Sequence, residues 1–393
     1  MPIINRIAEF HDDMVAWRRD IHAHPETAFE EVRTAKVVAE KLESFGIEVH
    51  RGLAKTGVVG VLKAGTGSRA IGLRADMDAL DIEERNGFDY RSRHEGKMHA
   101  CGHDGHTTML LGAARHLAET RNFDGTVYFI FQPAEENVAG GRVMVEEGLF
   151  ERFPVEGVYG LHNMPGTEVG QIVVRGGPMM ASADMFELVI RGVGGHGAFP
   201  HKTTDPVVVA AEIVNAWQTI VSRVTDPLES AVVSVTQIHG GHATNVIPDT
   251  VTLSGTTRAF LPEIQDLIEE RMRRIAEGIS AAHGASCEFT YDRRYPPVIN
   301  PERETELAAA AAARVVGPEN VRDDVPPVMG AEDFAWMLKA RPGNYAWLGN
   351  GKDGEVGGCA VHNPNYDFND EILTIGASYW VELVQTVLAP AGG

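Results

Sequence analysis

A nine-residue stretch, residues 98–106, holds four side chains that can bind a divalent transition metal. Its sequence is MHACGHDGH, and the four side chains are those of Cys101, His103, Asp104 and His106. Thiolate, imidazole and carboxylate groups are the usual protein ligands of zinc and related metals. An apolar helical segment, TTMLLGAARHL, follows directly, so the ligands would lie at a loop-to-helix junction. We expect Cys101 and His103 to bind metal, whereas His106, inside the predicted helix, is expected to pack in the core.

Two adjacent carboxylates, Glu135 and Glu136, follow the apolar run TVYFIF in the sequence QPAEE. In an apolar setting the two carboxylates cannot both be ionised without compensation. A bound cation compensates one of them, and a proton-carrying role suits the other. The alternative is an exposed acidic turn, which is common on protein surfaces. This segment alone supports both interpretations equally.

Four further polar side chains follow apolar runs in a similar way. His162 follows the run GVYGL, His362 lies in CAVHNPNYDF, and Asp76 and Asp78 end the run AIGLRADMD. Taken singly, each is more often a structural polar residue than a ligand. Strand ends of an α/β sheet meet at one edge, however, so a composite site explains them better together. A carboxylate there can orient a metal-bound imidazole.

The elements that would position these residues alternate along the first part of the chain. Buried strands alternating with helices predict an α/β domain with a mostly parallel sheet and helices on both faces. We expect strands at 57–63, 70–74, 126–131 and 157–161, with helices at 27–45, 104–119 and 139–148. The C-terminal part is expected to rejoin this domain with helices at 301–315, 331–340 and 370–388.

The middle of the chain predicts a separate, inserted α+β module. We expect a four-stranded sheet with two helices, from strands at 185–191, 231–239, 250–259 and 286–293 and helices at 206–223 and 262–283. The predicted domains are therefore 1–182 with 298–393, which carries the metal site, and the insertion 183–297. An edge strand of the inserted sheet needs covering, most simply by the same strand of a second chain.

Composition excludes several classes of protein. The 393 residues are 44% hydrophobic and 23% charged, which is typical of a soluble globular chain of about two domains. A net charge of -20 opposes binding to nucleic acid or to an anionic membrane surface. The sequence has no run of about eighteen apolar residues, which a membrane-spanning helix would need. The chain has three widely spaced cysteines and no signal-peptide pattern, so we expect a cytoplasmic location.

Six motifs, in this order and at these spacings, carry a family resemblance. They are MHACGHDGH, QPAEE, LHN, GGHGAFPH, NVIPD and GAEDF. Together they resemble the dinuclear metallo-aminoacylase/carboxypeptidase superfamily, and more narrowly its amidohydrolase branch, which includes hippurate hydrolase and the plant indole-acetyl-amino-acid hydrolases. The likeness runs over essentially the whole chain, from WRRDIHAHPE to HNPNYDF.

The resemblance implies two divalent metal ions per chain. Cys101 would bridge them as a thiolate, where more distant members of the superfamily use an aspartate. The remaining ligands would be His103, Glu136, His162 and His362. These ligand types suit zinc, manganese, cobalt or nickel without selecting one of them.

The resemblance also implies roles beside the metals. Glu135 would act as general base and acid. Asp78 would orient a metal-binding side chain without binding the metal itself. Asp76 occupies the first position of the usual His-x-Asp motif, a departure that the amidohydrolase branch shares. In the insertion, His196 and Asn245 match residues that contact the substrate across a dimer interface, and Arg258 is a candidate for gripping the substrate carboxylate.

The resemblance further implies that the insertion acts as a lid and dimerisation domain, so a homodimer or higher homo-oligomer is expected. The predicted function is metal-dependent hydrolysis of N-acyl amino acids, hippurate-like substrates included, to a carboxylic acid and a free amino acid. The alternatives are a deacetylase of N-acetyl-diaminopimelate and a dipeptide-cleaving metallo-carboxypeptidase. A non-catalytic binding protein would need a broken site, whereas every expected ligand and Glu135 are present.

Overall fold

A computed structural model of the chain describes residues 3–136 and 138–390. The chain divides into two compact units. Unit 1 contains the chain up to Gly177, Ile299–Pro326 and the chain from Asp333 onward, and unit 2 contains Pro178–Val298 and Pro327–Glu332. The functional domain boundaries expected from the sequence, at 183 and 297, stay a prediction.

The helices of the described residues follow one another in chain order. They are α1 Asn5–Ala8, α2 His11–His22, α3 Val32–Ser44, α4 His103–Thr120, α5 Gly140–Glu146, α6 Leu149–Arg152, α7 Pro206–Thr219, α8 Pro262–Ala282, α9 Glu302–Val316, α10 Phe334–Ala340 and α11 Leu373–Val387. A π-helical turn, Ile220–Val224, continues α7. Short 3₁₀ turns occur at Pro200–Lys202, Pro318–Asn320 and Asp370–Ile372.

The strands are mostly short. They are β1 Glu48–Leu53, β2 Gly57–Ala64, β3 Ala70–Asp76, β4 Gly125–Gln132, β5 Gly157–Pro165, β6 Ile172–Val173, β7 Gly177–Met180, β8 Ala183–Arg191, β9 Gly195–His196, β10 Ala231–Gly240, β11 Val246–Ile247, β12 Thr250–Ala259, β13 Ser286–Tyr295, β14 Val298–Asn300, β15 Val321–Arg322 and β16 Gly343–Gly351.

The large sheet of unit 1 has the strand order β1-β2-β4-β3-β5-β16-β6-β15. Its four central strands, β4, β3, β5 and β16, are parallel. The predicted strand at 57–63 does form, as β2, but it runs antiparallel to β4. Helices α2, α4 and α11 share one apolar core with the sheet, while α5 and α10 contact β4 and β5 outside that core. The predicted α/β class with a mostly parallel sheet is confirmed.

The main strand that the sequence prediction missed is β16, which lies in the middle of this sheet. Its sequence, GNYAWLGNG, has glycine and asparagine at positions where strands usually have β-branched residues. Every residue of β16 is buried. A Cβ atom on Gly343 would lie 1.8 Å from the carbonyl oxygen of Val158, so the close approach of β16 to β5 requires glycine there. Tertiary packing has overridden local strand propensity.

Several element boundaries also differ from the prediction. Helix α3 begins at Val32 rather than at residue 27, because Phe29 has a left-handed φ of 61°. The Glu26 carboxylate then accepts hydrogen bonds from the backbone N–H groups of Arg33 (2.9 Å) and Thr34 (2.8 Å) at the start of the helix. His162, expected at the end of a strand, lies inside β5, opposite Trp347 of β16.

Unit 2 is built on an antiparallel sheet with the strand order β10-β12-β8-β13. Helices α7 and α8 cover it, and their apolar sides form a core of their own with the strands. Trp217 of α7 is fully buried there and donates a hydrogen bond from Nε1 to the carbonyl oxygen of Met272 at 3.0 Å. The predicted four-stranded sheet with two helices is confirmed.

One helical segment of the described residues, Pro206–Val224, is long and apolar enough to cross a membrane by length and composition alone. Its inner side packs in the core of unit 2 through Val209, Ile213 and Trp217. A core helix of a globular protein meets the same two criteria. The outer side leaves Val207 and Val208 exposed, so α7 presents apolar surface away from its own sheet.

Candidate metal centre

Strand β5, the start of α4 and loops at the carboxyl ends of the parallel strands of unit 1 bring the predicted ligands together. Their ligand atoms form overlapping groups, in each of which all atoms lie within 4.8 Å of one another. The groups are Cys101 with His103 and His162, Cys101 with Glu136 and His362, and His103 with Glu135 and Glu136. All five side chains expected as ligands are therefore neighbours, and Glu135 lies among them.

Two of the imidazoles are oriented by hydrogen bonds that leave Nε2 facing the cluster. His103 donates from Nδ1 to the carbonyl oxygen of Asp78 at 2.9 Å, and the Asp78 carboxylate lies 3.2 Å from the same nitrogen. His162 donates from Nδ1 to the carbonyl oxygen of Asn163 at 2.5 Å, and its Nε2 lies 3.4 Å from Cys101 Sγ. Such hydrogen bonds fix the tautomer that metal-binding histidines use.

The residues of this cluster fit a divalent metal ion on two observations. The Nε2 atom of His103 is buried and has no hydrogen-bond partner among the described residues, which normally costs about 1–3 kcal/mol. A cation at this position would satisfy it. Burial, and next the Glu136 carboxylate, raise the pKa of the Cys101 thiol, so the thiolate needs a cation beside it to form.

Neighbouring acidic groups raise the pKa of two of these histidines, whereas burial, and next His106, lower the pKa of His162. Hydrogen bonding to Cys101 and Glu136 raises the pKa of His362 to about 10. Burial by itself lowers the pKa of His103, but Asp76, Cys101 and Asp78 outweigh burial and hold it well above its usual value. Acidic groups beside His103 and His362 therefore favour positive charge at these two positions.

The cluster opens to solvent on one side. The side chain of His362 is 50% exposed and that of Glu136 is 12% exposed, whereas His103 is buried. His362 has a left-handed φ of 61°, and its backbone N–H donates to the carbonyl oxygen of Ala100 at 2.7 Å. A substrate can therefore approach the ligands from the side of His362.

His106 lies on α4, as predicted, and is part of a buried hydrogen-bond network. Its Nδ1 is 2.6 Å from Asp76 Oδ1 and its Nε2 is 2.7 Å from Asn163 Oδ1. Asp76, His103 and His106 also come within 4.8 Å of one another. Because both nitrogens of His106 already have partners in the protein interior, its arrangement matches the structural role expected from the sequence.

Gly102, which precedes the first residue of α4, has a φ of 95°. A Cβ atom there would lie 2.2 Å from Asn163 Oδ1 and 2.6 Å from the Tyr366 hydroxyl oxygen. The turn that carries Cys101 and His103 therefore requires glycine on both steric and conformational grounds.

We expect Gly102→Ala to lower the free energy of unfolding by about 1–3 kcal/mol, because the backbone is strained and the added methyl group displaces Asn163. Denaturant unfolding of the metal-free protein measures this. Gly278→Ala is the matched control, since Gly278 lies inside α8 with nothing within 4 Å of the added atom. It should raise stability by about 0.5–1 kcal/mol. Equal effects of the two changes would contradict the steric argument.

The three residues expected to contact substrate lie in unit 2. His196 is exposed on β9 and pairs with Val246 of β11. Asn245 is its close neighbour, because the N–H of Gly197 donates to the Asn245 carbonyl oxygen at 2.8 Å. Arg258 lies on β12, where its guanidinium donates to the Thr256 hydroxyl and the Thr257 carbonyl oxygen. The structure thus places His196 and Asn245 side by side and Arg258 on a different element.

Sequence reasoning missed two buried residues beside the cluster. Arg74 is fully buried on β3 and donates to Asp76 and to Gln132, both at 2.8 Å. A charged residue inside the apolar run AIGLRAD was the available signal, because a buried arginine requires acceptors. Asn163 bonds His106 and donates from Nδ2 to the Tyr366 hydroxyl at 2.7 Å. No sequence pattern reveals these partners, which are distant along the chain.

Comparison with protein families identifies the chain at family level. The model of peptidase family M20/M25/M40 matches residues 72–386. This span is most of the chain, so the chain belongs to that family of hydrolytic enzymes. The match confirms the family resemblance seen in the six motifs.

Individual relatives match over nearly the whole chain. Hippurate hydrolase of Campylobacter jejuni subsp. jejuni is 42% identical over 383 residues, which are 98% of this chain and 98% of the relative. N-acetylcysteine deacetylase of Bacillus subtilis is 41% identical over 381 residues, 96% of this chain and 98% of the relative. A crystal structure from B. subtilis, described as a dinuclear metal binding peptidase from the M20 family, has a TM-score of 0.85 and 38% identity and covers 97% of this chain and 99% of its own.

Proposed function

We propose that this member of peptidase family M20/M25/M40 hydrolyses the amide bond of N-acyl amino acids, hippurate-like substrates included. The products are a carboxylic acid and a free amino acid. The observation that carries the proposal is the position of Glu135, which lies within 4.8 Å of His103 and Glu136 in a cluster of metal-binding side chains. The similarity to a hippurate hydrolase and to an N-acetylcysteine deacetylase supports the substrate class.

The proposed cofactor is a pair of divalent ions, of zinc, manganese, cobalt or nickel. Two of the ligand groups share Cys101, which supports a bridging thiolate. His103 and His162 would bind one metal ion together with Cys101, and Glu136 and His362 would bind the other. Asp78 would hold the ring of His103. When bound, such a pair lowers the pKa of a water molecule and polarises the carbonyl group of the amide.

The proposed role of Glu135 is to move one proton. Its carboxylate takes a proton from the attacking water as the new C–O bond forms, and gives a proton to the amine nitrogen as the C–N bond breaks. Glu135 is buried, and its Oε1 accepts a hydrogen bond from the backbone N–H of Asp333 at 3.3 Å. The protein therefore holds this carboxylate in place before substrate arrives.

We propose that unit 2 supplies the remaining contacts. The exposed imidazole of His196 would donate a hydrogen bond to the oxygen that becomes negative during attack. Asn245, its neighbour, would contact the substrate beside it. Arg258 would bind the carboxylate of the amino acid, for which a guanidinium is the best-matched side chain.

A homodimer, or a higher homo-oligomer, is part of the proposal. Strand β10 is an edge strand of its sheet, and Ile238 on it is 60% exposed. The outer side of α7 exposes Val207 and Val208. An exposed edge strand and an exposed apolar patch are surfaces against which a partner chain can pack. A cytoplasmic location remains the prediction, supported by three free cysteines.

Mixed dimers of Glu135→Gln and His196→Ala test whether His196 serves the partner's site. If it does, one site of a mixed dimer has both Glu135 and an intact His196, while the other site lacks both side chains. Random exchange of equal amounts makes about half of the dimers mixed, so about a quarter of wild-type activity should return. Exchange without recovery would show that His196 acts in its own chain or not at all.

A substrate panel tests the proposed function. Benzoyl and acetyl derivatives of several amino acids, N-acetyl-diaminopimelate and unblocked dipeptides would be compared by kcat/KM, with amino acid release measured directly. N-acyl amino acids are expected to be the best substrates. A clear preference for N-acetyl-diaminopimelate or for dipeptides would favour the corresponding alternative, and hydrolysis of none of them would contradict the proposal.

A further inference from the structure

The buried carboxylate of Asp333 gathers hydrogen bonds from three segments of unit 1. It accepts from Arg74 at 3.0 Å, from Gln132 Nε2 at 2.8 Å and from the backbone N–H of Gly141 at 2.7 Å. Asp333 and Arg74 are both fully buried. Apolar residues of similar volume often give a protein the same stability as a buried ion pair, so the pair by itself is weak evidence of a stabilising role.

Two of these partners stand on either side of the segment that carries Glu135 and Glu136. Gln132 is the last residue of β4, and Gly141 lies in the first turn of α5. Between them the loop turns back on itself, because the N–H of Gly140 donates to the carbonyl oxygen of Ala134 at 2.8 Å. The Asp333 carboxylate therefore clamps both ends of the loop.

The same residue also contacts the carboxylate that the loop carries. The backbone N–H of Asp333 donates to Glu135 Oε1 at 3.3 Å. Because the side chain of Asp333 is fixed by Arg74, Gln132 and Gly141, the direction of this N–H is fixed as well. One residue thus sets the position of the loop and holds a Glu135 oxygen.

The loop is also supported at its strained position. Ala134 has a left-handed φ of 55°, which costs a non-glycine residue free energy. Its backbone N–H donates to Glu31 Oε1 at 2.9 Å, and Glu31 is itself buried and held by the Thr56 hydroxyl. Strain of this kind persists only where the surroundings determine the conformation, which agrees with a loop built to hold one geometry.

We propose that Asp333, held by Arg74, is a positioning residue for Glu135. In this role it acts through Glu135, by keeping the Glu135 carboxylate where the proton must be taken. The proposal rests on the function assigned to Glu135 above. The proposed chemistry gives no role to the GAEDF motif, which contains Asp333, or to Arg74 of RADMDA. The positioning of Glu135 gives both of them a role.

A double-mutant cycle on the metal-loaded enzyme tests this proposal. Asp333→Asn should lower kcat by about 10- to 100-fold with KM nearly unchanged, since a displacement of about 1 Å at a reacting group can cost about 10²-fold. In the Glu135→Gln background the same change should cost nothing further, because the group it positions is gone. Metal content should equal that of the wild type in every variant.

Asp124→Asn is the matched control for the loss of a loop-binding carboxylate. Asp124 accepts the backbone N–H groups of Thr66 and Gly67, both at 2.7 Å, in a turn on other segments of unit 1. Its kcat should stay at the wild-type value. If Asp333→Asn does not fold, Gln132→Met decides, because it removes one partner of the clamp while leaving both charges. It should lower kcat in the wild-type background and not in the Glu135→Gln background.

The outcomes separate the two proposals. A loss of kcat on Asp333→Asn that vanishes in the Glu135→Gln background supports the positioning role. An equal loss in both backgrounds, a loss of metal, or kcat equal to that of Asp124→Asn overturns it. If Glu135→Gln itself leaves kcat unchanged, the function proposed for Glu135 is wrong, and the positioning role falls with it.

Discussion

Glu135→Gln should lower kcat by about 10²–10⁴-fold while the metal content of the purified protein stays unchanged. General acid/base groups contribute rate accelerations of this size. The amide keeps the shape of the carboxylate and can still accept the N–H of Asp333, so the loop should keep its conformation. Steady-state kinetics and metal analysis of the same preparation measure both quantities.

Glu136→Gln is the natural control for that change. Glu136 shares a ligand group with Cys101 and His362, and its Oε1 lies 3.0 Å from His362 Nε2. This variant should lose metal and activity together. The opposite pattern, with metal lost on Glu135→Gln and kept on Glu136→Gln, would show that the two glutamates are assigned the wrong way round.

Cys101→Ala should lose metal and, with it, nearly all activity. Loss of a residue that only orients a metal ligand lowers metal affinity by about 10–100-fold. Cys101 belongs to both proposed ligand groups, so its removal should lower metal affinity by at least this factor. Metal titration of the metal-free protein measures the affinity. Cys287→Ala is the control, because Cys287 lies on β13 of unit 2, and it should bind metal as the wild type does.

Thiol labelling gives an independent measurement on Cys101. Metal ions should protect it, so a thiol reagent should inactivate the metal-free enzyme much faster than the metal-loaded enzyme. Equal rates in both forms, together with normal metal content in Cys101→Ala, would reduce Cys101 to a buried structural residue.

The convergence of the expected ligands could be predicted from the sequence, because these residues lie in short motifs next to recognisable strands and a helix. Cys101 and His103 stand before an apolar helix, and Glu135 follows an apolar strand, so the general topology of α/β sheets brings them to one edge. The alternating and helical patterns of unit 2 were equally informative, since each of its elements has one buried side.

The clamp and the central strand β16 could not be predicted in the same way. Asp333 meets Gln132 across 201 residues of chain, and no local pattern encodes such a pairing. The glycines of β16 oppose strand formation locally and are explained only by the close approach of β5. Both features are set by tertiary packing, which a single sequence read for local periodicity does not contain.

The rate of amino acid release from an N-acyl amino acid, measured while metal is added to the metal-free protein, tests the central claim most directly. The proposed site predicts almost no activity without metal, a rise on addition of zinc, manganese, cobalt or nickel, and a plateau near two equivalents per chain. Full activity in the metal-free protein, or no release of amino acid at any loading with any of these metals, would contradict it.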